Sequence, residues 1–161
     1  AWLDEPFFVL NSDSIHDVPL RELARFHRET GGIATFVLRH DPEAERYGLL
    51  HVDARHRLRR FRGEPRDVAE PLTALMYAGV MVWEPRVFAH MRSGAFSLTR
   101  DLVPWLMRAG EAIHGFVYDG YWRVVDDAAD LARARAEIDG GQRLSYLPAP
   151  PSPGTPGAEI S

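Results

Sequence analysis

Three features of the sequence predict an α/β fold built on a mixed sheet. Short apolar runs rich in β-branched and aromatic residues, "FFVL" (7–10), "IATFVLR" (33–39) and "LMYAGVMVW" (75–83), have the length of strands. Segments of helical period, bounded by Pro and Gly, lie between and after them. The stretch "YGLLHVDARHRLRRF" (47–61) reads as strand, turn and returning strand, which breaks the strict alternation of a doubly wound sheet.

Taken in order, "FFVL" contains no polar residue and so suits a strand buried on both faces, as in parallel sheets. It runs into Asn11-Ser12-Asp13, which reads locally either as an ordinary turn or as a ligand site at the carboxyl end where open α/β sheets bind ligands. Asp17 is placed to cap a helix from about Pro19 to Glu29, with Leu20, Leu23, Ala24 and His27 on one face and Gly31-Gly32 as its stop. The second strand (33–39) and the hairpin follow, the latter turning near Asp53-Ala54. Gly79 interrupts the next strand, where a neighbour needs close approach to backbone. Glu84-Pro85 opens a short helix, "FSLTRDLVPWLMRAG" gives another, and Gly110 ends it. "AIHGFVYDGYWRVV" is strand-like with a turn at Asp119-Gly120. Asp126 or Asp127 caps a last helix, whose apolar stripe is Ala128, Leu131, Ala134 and Ile138. Residues 1–146 form the folded portion, and the Pro, Gly and Ser-rich 147–161 is expected to be disordered.

Composition excludes several chemistries. The chain has 161 residues, 45% of them hydrophobic, and a net charge of -4, which fits one globular domain with a useful core. All 19 basic residues are Arg, so neither a Walker-type lysine nor a Schiff base is available. Cysteine is absent, removing disulfides, thiol nucleophiles and Cys-ligated zinc, and the cytoplasm is the expected location. No apolar run approaches the roughly eighteen residues of a membrane span, so no membrane partner is expected. The run "RHRLRRFR" (55–62) is interleaved with Leu58 and Phe61 in an acidic chain. It reads as a solvated sheet edge rather than a nucleic-acid patch. The seven His residues show no metal-binding spacing, and Ser14, His16 and Asp17, adjacent in sequence, do not make a triad.

The blocks "DEPFFVLNSD", "AERYGLLHVDARHRLRRFRGEP", "MYAGVMVWEP" and "FSLTRDLVPWLMRAGEAIHGFVYDGYWRVVDDAADLARARAEI" resemble, in order and spacing, successive parts of the sugar-1-phosphate nucleotidyltransferases. The resemblance covers about residues 4 to 138 and implies a Rossmann-like mixed sheet flanked by helices. It further implies an incomplete nucleotidyltransferase domain lacking its amino-terminal strands and triphosphate loop. The implied activity joins a sugar 1-phosphate to a nucleoside triphosphate, releasing pyrophosphate. Such a reaction needs alignment and neutralised phosphate charge, a task for Mg²⁺ held by a carboxylate. On this resemblance Asp13 is the metal ligand, Asn11 and Trp122 contact substrate, and Tyr47, Gly48 and Gly79 face the sugar.

The sequence also departs from the family pattern. Gly63 and Glu64 stand where a sugar-binding Glu and a phosphate-binding Lys belong, which leaves open whether Arg62 or Glu64 serves after a one-residue shift. Val124 stands at the second metal carboxylate, and Asp126 and Asp127 lie two and three positions on. A degenerate relative that binds a sugar nucleotide or a partner subunit without catalysis is the alternative. Without preceding strands, residues 7–11 are expected to leave an apolar edge that favours association of copies.

Overall fold

The computed structural model describes residues 3–42, 44–61, 65 and 68–148, without the side chains of residues 46 and 47. The elements are β1 (Phe7–Leu10), β2 (Ser14–His16), α1 (Leu20–Thr30), β3 (Ala34–Arg39), α2 (Ala44–Tyr47), β4 (Leu49–Val52), β5 (Leu58–Phe61) and β6 (Thr73–Trp83). A 3₁₀ turn (Pro85–His90) and a π turn (Leu98–Leu102) lead into α3 (Val103–Arg108), followed by β7 (Ile113–Val117), β8 (Trp122–Val124) and α4 (Ala128–Asp139). Arg62, Gly63 and Glu64 and the tail from residue 149 lie outside the described residues.

The sheet is mixed, as the hairpin and uneven alternation predict. Its strand order is β5-β4-β6-β3-β7, with β1 also on β6. Only β3 and β7 run parallel, and every other pairing is antiparallel. The long β6 organises the rest: β3 lines one side, while β4 takes Thr73–Met76 and β1 takes Val80–Trp83. A separate two-stranded ribbon joins β2 to β8.

Alternation along β6 creates two cores. Met81 and Trp83 pack with Phe36, Leu38, Leu50, Leu106 and Ile113 on one face. Ala78, Val80 and Val82 pack with Val18, Leu23 and Val37 beneath α1 on the other. Within α1, His27 is 1% exposed and joins its Nδ1 to Thr35 Oγ1 (2.8 Å) and its Nε2 to Glu84 Oε1 (3.2 Å). Gly31 closes α1 at φ 65°, its amide donating to the His27 carbonyl. That left-handed stop is the one the Gly31-Gly32 pair predicts.

Several expectations are corrected. β1 is not buried on both faces: it pairs only with β6, antiparallel, leaving Phe8 38% and Leu10 46% exposed. Phe7 and Val9 face the core and satisfy its apolar requirement. Asp17 does not cap α1, whose N-cap position is Pro19 and carries no side-chain cap; the Asp17 carboxylate instead accepts from the Ser145 amide and hydroxyl. On α4 only Ala134 is buried, while Ala128 and Leu131 stay exposed because the helix packs chiefly along β8. Its cap is Asp127, accepting from the amides of Ala129 and Asp130. Of the arginine run, Arg59 and Arg60 lie on the edge strand β5, with Arg59 paired to Glu70 (2.6 Å), and Arg57 just before it donates to the Gly110 carbonyl.

Candidate active site

β1 and β4 share the same side of β6 but do not meet. β1 ends with the Asn11 amide donating to the Gly79 carbonyl (2.8 Å), and β4 begins with Leu49 opposite Met76. The interval over residues 77–79 is thus approached by Asn11 from one strand and by Gly48 from the other.

Gly79 has to be glycine here. Its φ is 82°, and an added Cβ would lie 3.1 Å from Asn11 Cβ and 3.3 Å from Ser14 Oγ. The β3–β6 register shifts at this level, between Phe36 and Leu38, so the strand bulges where the close approach occurs. Gly48 also has positive φ (87°), but no described atom lies within 4 Å of its added Cβ. Tyr47 ends α2, and its side chain is outside the described set.

Asp13 follows in the turn between β1 and β2. The turn is held from its other side, where the Val125 amide donates to the Asp13 carbonyl (2.7 Å) and continues the β2–β8 pairing. The Asp13 residue is exposed, and its carboxylate makes no hydrogen bond or ion pair with a described residue. Trp122 on β8 reaches back with its indole Nε1 donating to the Ala78 carbonyl (2.8 Å), and the Arg39 guanidinium lies over its ring at 5.2 Å. Asn11, Asp13, Gly79 and Trp122, all singled out in the sequence, therefore converge on one stretch of β6.

The same stretch holds two groups that the sequence reading missed. The Tyr77 hydroxyl and Ser14 Oγ are buried without a hydrogen-bond partner among the described residues. Burial, and after it the charge of Asp13, pushes the Tyr77 phenol well above its ordinary range, so it stays a neutral donor. A phenol in an apolar strand, two residues before a glycine, was the available signal. Buried polar atoms left unpaired are costly unless water or a ligand answers them.

Val124 stands opposite Ser14, and Asp126 and Asp127 engage α4 rather than Asp13. The Asp126 amide donates to Asp130, and Asp127 caps the helix. Among the described residues no three His, Asp or Glu side chains gather as a metal cage. A lone exposed carboxylate at a strand end still suits Mg²⁺, which takes one or two protein carboxylates and fills its octahedron with phosphate oxygens and water. Ser14, His16 and Asp17 form no triad. Ser14 Oγ and His16 Nδ1 are both without partners among the described residues, and burial lowers the His16 pKa against the opposing charge of Asp17.

A mixed sheet flanked by helices, with polar residues and a carboxylate gathered at the end of one strand, defines an α/β domain built to hold a ligand at its strand ends. Comparison with known proteins specifies which. A family model described as nucleotidyl transferase matches residues 2–140. Mannose-1-phosphate guanyltransferase from Aspergillus oryzae is 33% identical over 130 residues, covering 80% of this chain and 35% of that protein. The enzyme of the same name from Yarrowia lipolytica is 34% identical over 129 residues, covering 80% and 34%. In structure, HddC from Yersinia pseudotuberculosis, solved in complex with GMP-PN, superposes with a TM-score of 0.65 at 15% identity. That match covers 83% of this chain and 56% of HddC. The chain belongs to the nucleotidyl transferase family, among the sugar-1-phosphate nucleotidyltransferases. It spans about a third (35%) of the length of the curated relatives it matches.

Proposed function

We propose that the protein containing this chain is a sugar-1-phosphate nucleotidyltransferase, forming a nucleoside-diphosphate sugar and pyrophosphate, and that residues 1–146 carry its metal-side and sugar-side elements. The observation that carries this reading is the Asn11–Gly79 hydrogen bond, two residues before Asp13, whose carboxylate has no hydrogen bond or ion pair among the described residues. When bound, Mg²⁺ would neutralise phosphate charge and align the attacking oxygen with the α-phosphorus. Asp13 would hold the ion from one side. The bulged backbone at Gly79 gives a sugar room to lie against β6, with Gly48 at its other border. Tyr77 and Ser14 supply hydroxyls that a bound sugar or water can pair with. Trp122, braced by Arg39 and the Ala78 carbonyl, walls the site on the β8 side.

Mannose 1-phosphate with GTP is the first substrate pair to try, because the relatives at 33% and 34% identity are mannose-1-phosphate guanyltransferases. A cytoplasmic setting accords with the cysteine-free composition. The test is pyrophosphate release by the protein as isolated from its natural source. Release should require the sugar 1-phosphate, the nucleoside triphosphate and Mg²⁺ together, and release independent of sugar phosphate would refute the reading. Val124, standing where the family pattern has a carboxylate, favours a second reading in which the site binds a sugar nucleotide without turnover. That reading expects saturable binding of a nucleoside-diphosphate sugar with no pyrophosphate formed, and Val124→Asp combined with Glu64→Lys to restore metal-dependent turnover. Full turnover by the unmodified protein would end it.

A further inference from the structure

β6 ends at Trp83, beyond Gly79, and the chain then winds through the 3₁₀ turn, the π turn and α3. Between these turns lies a cleft of about 460 Å³ that shares no residue with the Asp13 site. Its size is within the roughly 300–1,000 Å³ of small-molecule sites.

The walls of the cleft are chemically uneven. Arg92, Arg100 and Arg108 all line it, and none of them makes an ion pair with a described residue. The neighbouring carboxylates are already committed. Glu111 binds Arg86 (2.6 Å) and His90 (3.3 Å), and Asp101, the one carboxylate in the lining, accepts from the Ser97 amide (2.7 Å). Two aromatic rings stand beside these cations instead of entering the core: Phe96 is 40% and Trp105 42% exposed. The Arg92 guanidinium lies over the Trp105 ring at 5.4 Å, which fixes one cation against one flat apolar surface.

Guanidinium forks match phosphate oxygens bidentately, and exposed indole and phenyl faces stack on planar bases. We propose that this cleft is a second nucleotide site, distinct from the one around Asp13. It takes a nucleoside phosphate with its base against Trp105 and Phe96 and its phosphates on Arg100 and Arg108. Arg92 bridges the two parts of the ligand, since its guanidinium already lies over the Trp105 ring.

The experiment is calorimetric titration of the 161-residue chain with GDP, ADP and inorganic pyrophosphate in EDTA, which suppresses metal-dependent binding at Asp13. Saturable binding of GDP or ADP is expected, at least tenfold tighter than pyrophosphate. It should weaken at least tenfold in an Arg100→Ala, Arg108→Ala double variant and stay unchanged in Asp13→Asn. Nucleotide should quench tryptophan fluorescence in the wild type but not in Trp105→Phe. Both arginines are exposed, and a matching circular dichroism spectrum confirms that the variant is folded. No saturable nucleotide binding, pyrophosphate binding as tightly as nucleotide, or an undiminished affinity in the double variant would each overturn the proposal. Loss of binding in Asp13→Asn would assign the nucleotide to the Asp13 site and overturn it as well.

Discussion

Gly79→Ala tests the geometry on which the candidate site depends. At φ 82° an L-residue costs about 1–2 kcal/mol, offset by about 0.4–1 kcal/mol because alanine restricts the unfolded chain. The new methyl also meets Asn11 Cβ at 3.1 Å, and that atom cannot rotate away because the Asn11 amide is bonded to the Gly79 carbonyl. Relieving such overpacking costs about 1–3 kcal/mol more, giving a total of about 1–5 kcal/mol, centred near 3 kcal/mol. At about 2–4 °C per kcal/mol for a chain of this size, the melting temperature should fall by about 5–15 °C. Gly48→Ala is the internal control: its φ is 87° but its surroundings are open among the described residues, so only the strain remains, about 0–1.6 kcal/mol after the offset. Urea unfolding of both variants gives the difference directly, and equal losses would refute the close approach of Asn11 to Gly79.

Asp127→Ala should cost about 1 kcal/mol through loss of the α4 cap, whereas Asp127→Asn, which can still cap, should be near neutral. If the two variants are equally destabilised in urea, the capping role is wrong. Stability should also fall on acidification. Burial holds His27 below the ordinary histidine range, against the opposing Glu84 and with Arg86 and Arg28 adding to the depression. The unfolded chain therefore binds more protons once the pH drops below about 6.5, so this contribution is complete above that value and is lost toward the folded pKa. Burial depresses His16, His51 and His114 in the same direction. The urea midpoint should be lower at pH 5.5 than at pH 7.5, and an unchanged midpoint would contradict the buried neutral imidazoles.

Much of the sheet was legible because its signals are local. The hairpin turn is fixed by Asp53, whose carboxylate accepts from the Arg55 and Arg57 amides, and the helix stop at Gly31 needs only a left-handed residue. The errors lie where partners distant in sequence decide. A four-residue apolar run reads the same whether covered on one face or two, and nothing local says that α1 covers β3, β6 and β7 rather than β1. The three-residue β2 is too short for a period, and it forms because β8, more than a hundred residues later, pairs with it. In the site, Asn11, Asp13 and Gly79 could be picked out from strand ends and glycine. Trp122 came through family resemblance, and Tyr77 was passed over because a phenol in an apolar run looks like core.

The expected association of copies through β1 stays a proposal. Among the described residues β1 pairs with β6 alone and its outer residues Phe8 and Leu10 are exposed, so self-association through this strand belongs to the same proposal as the enzyme reading.

The central claim is that Asp13 holds the metal for nucleotidyl transfer. The most direct measurement is Mg²⁺-dependent pyrophosphate release from GTP and mannose 1-phosphate by the native protein carrying Asp13→Asn, beside the wild type and with unfolding midpoints matched. The account expects kcat to fall at least 100-fold, because removing a charge that stabilises the transition state through the metal costs about 3 kcal/mol or more. An Asp13→Asn protein that releases pyrophosphate at the wild-type rate, with the same Mg²⁺ dependence, would contradict it.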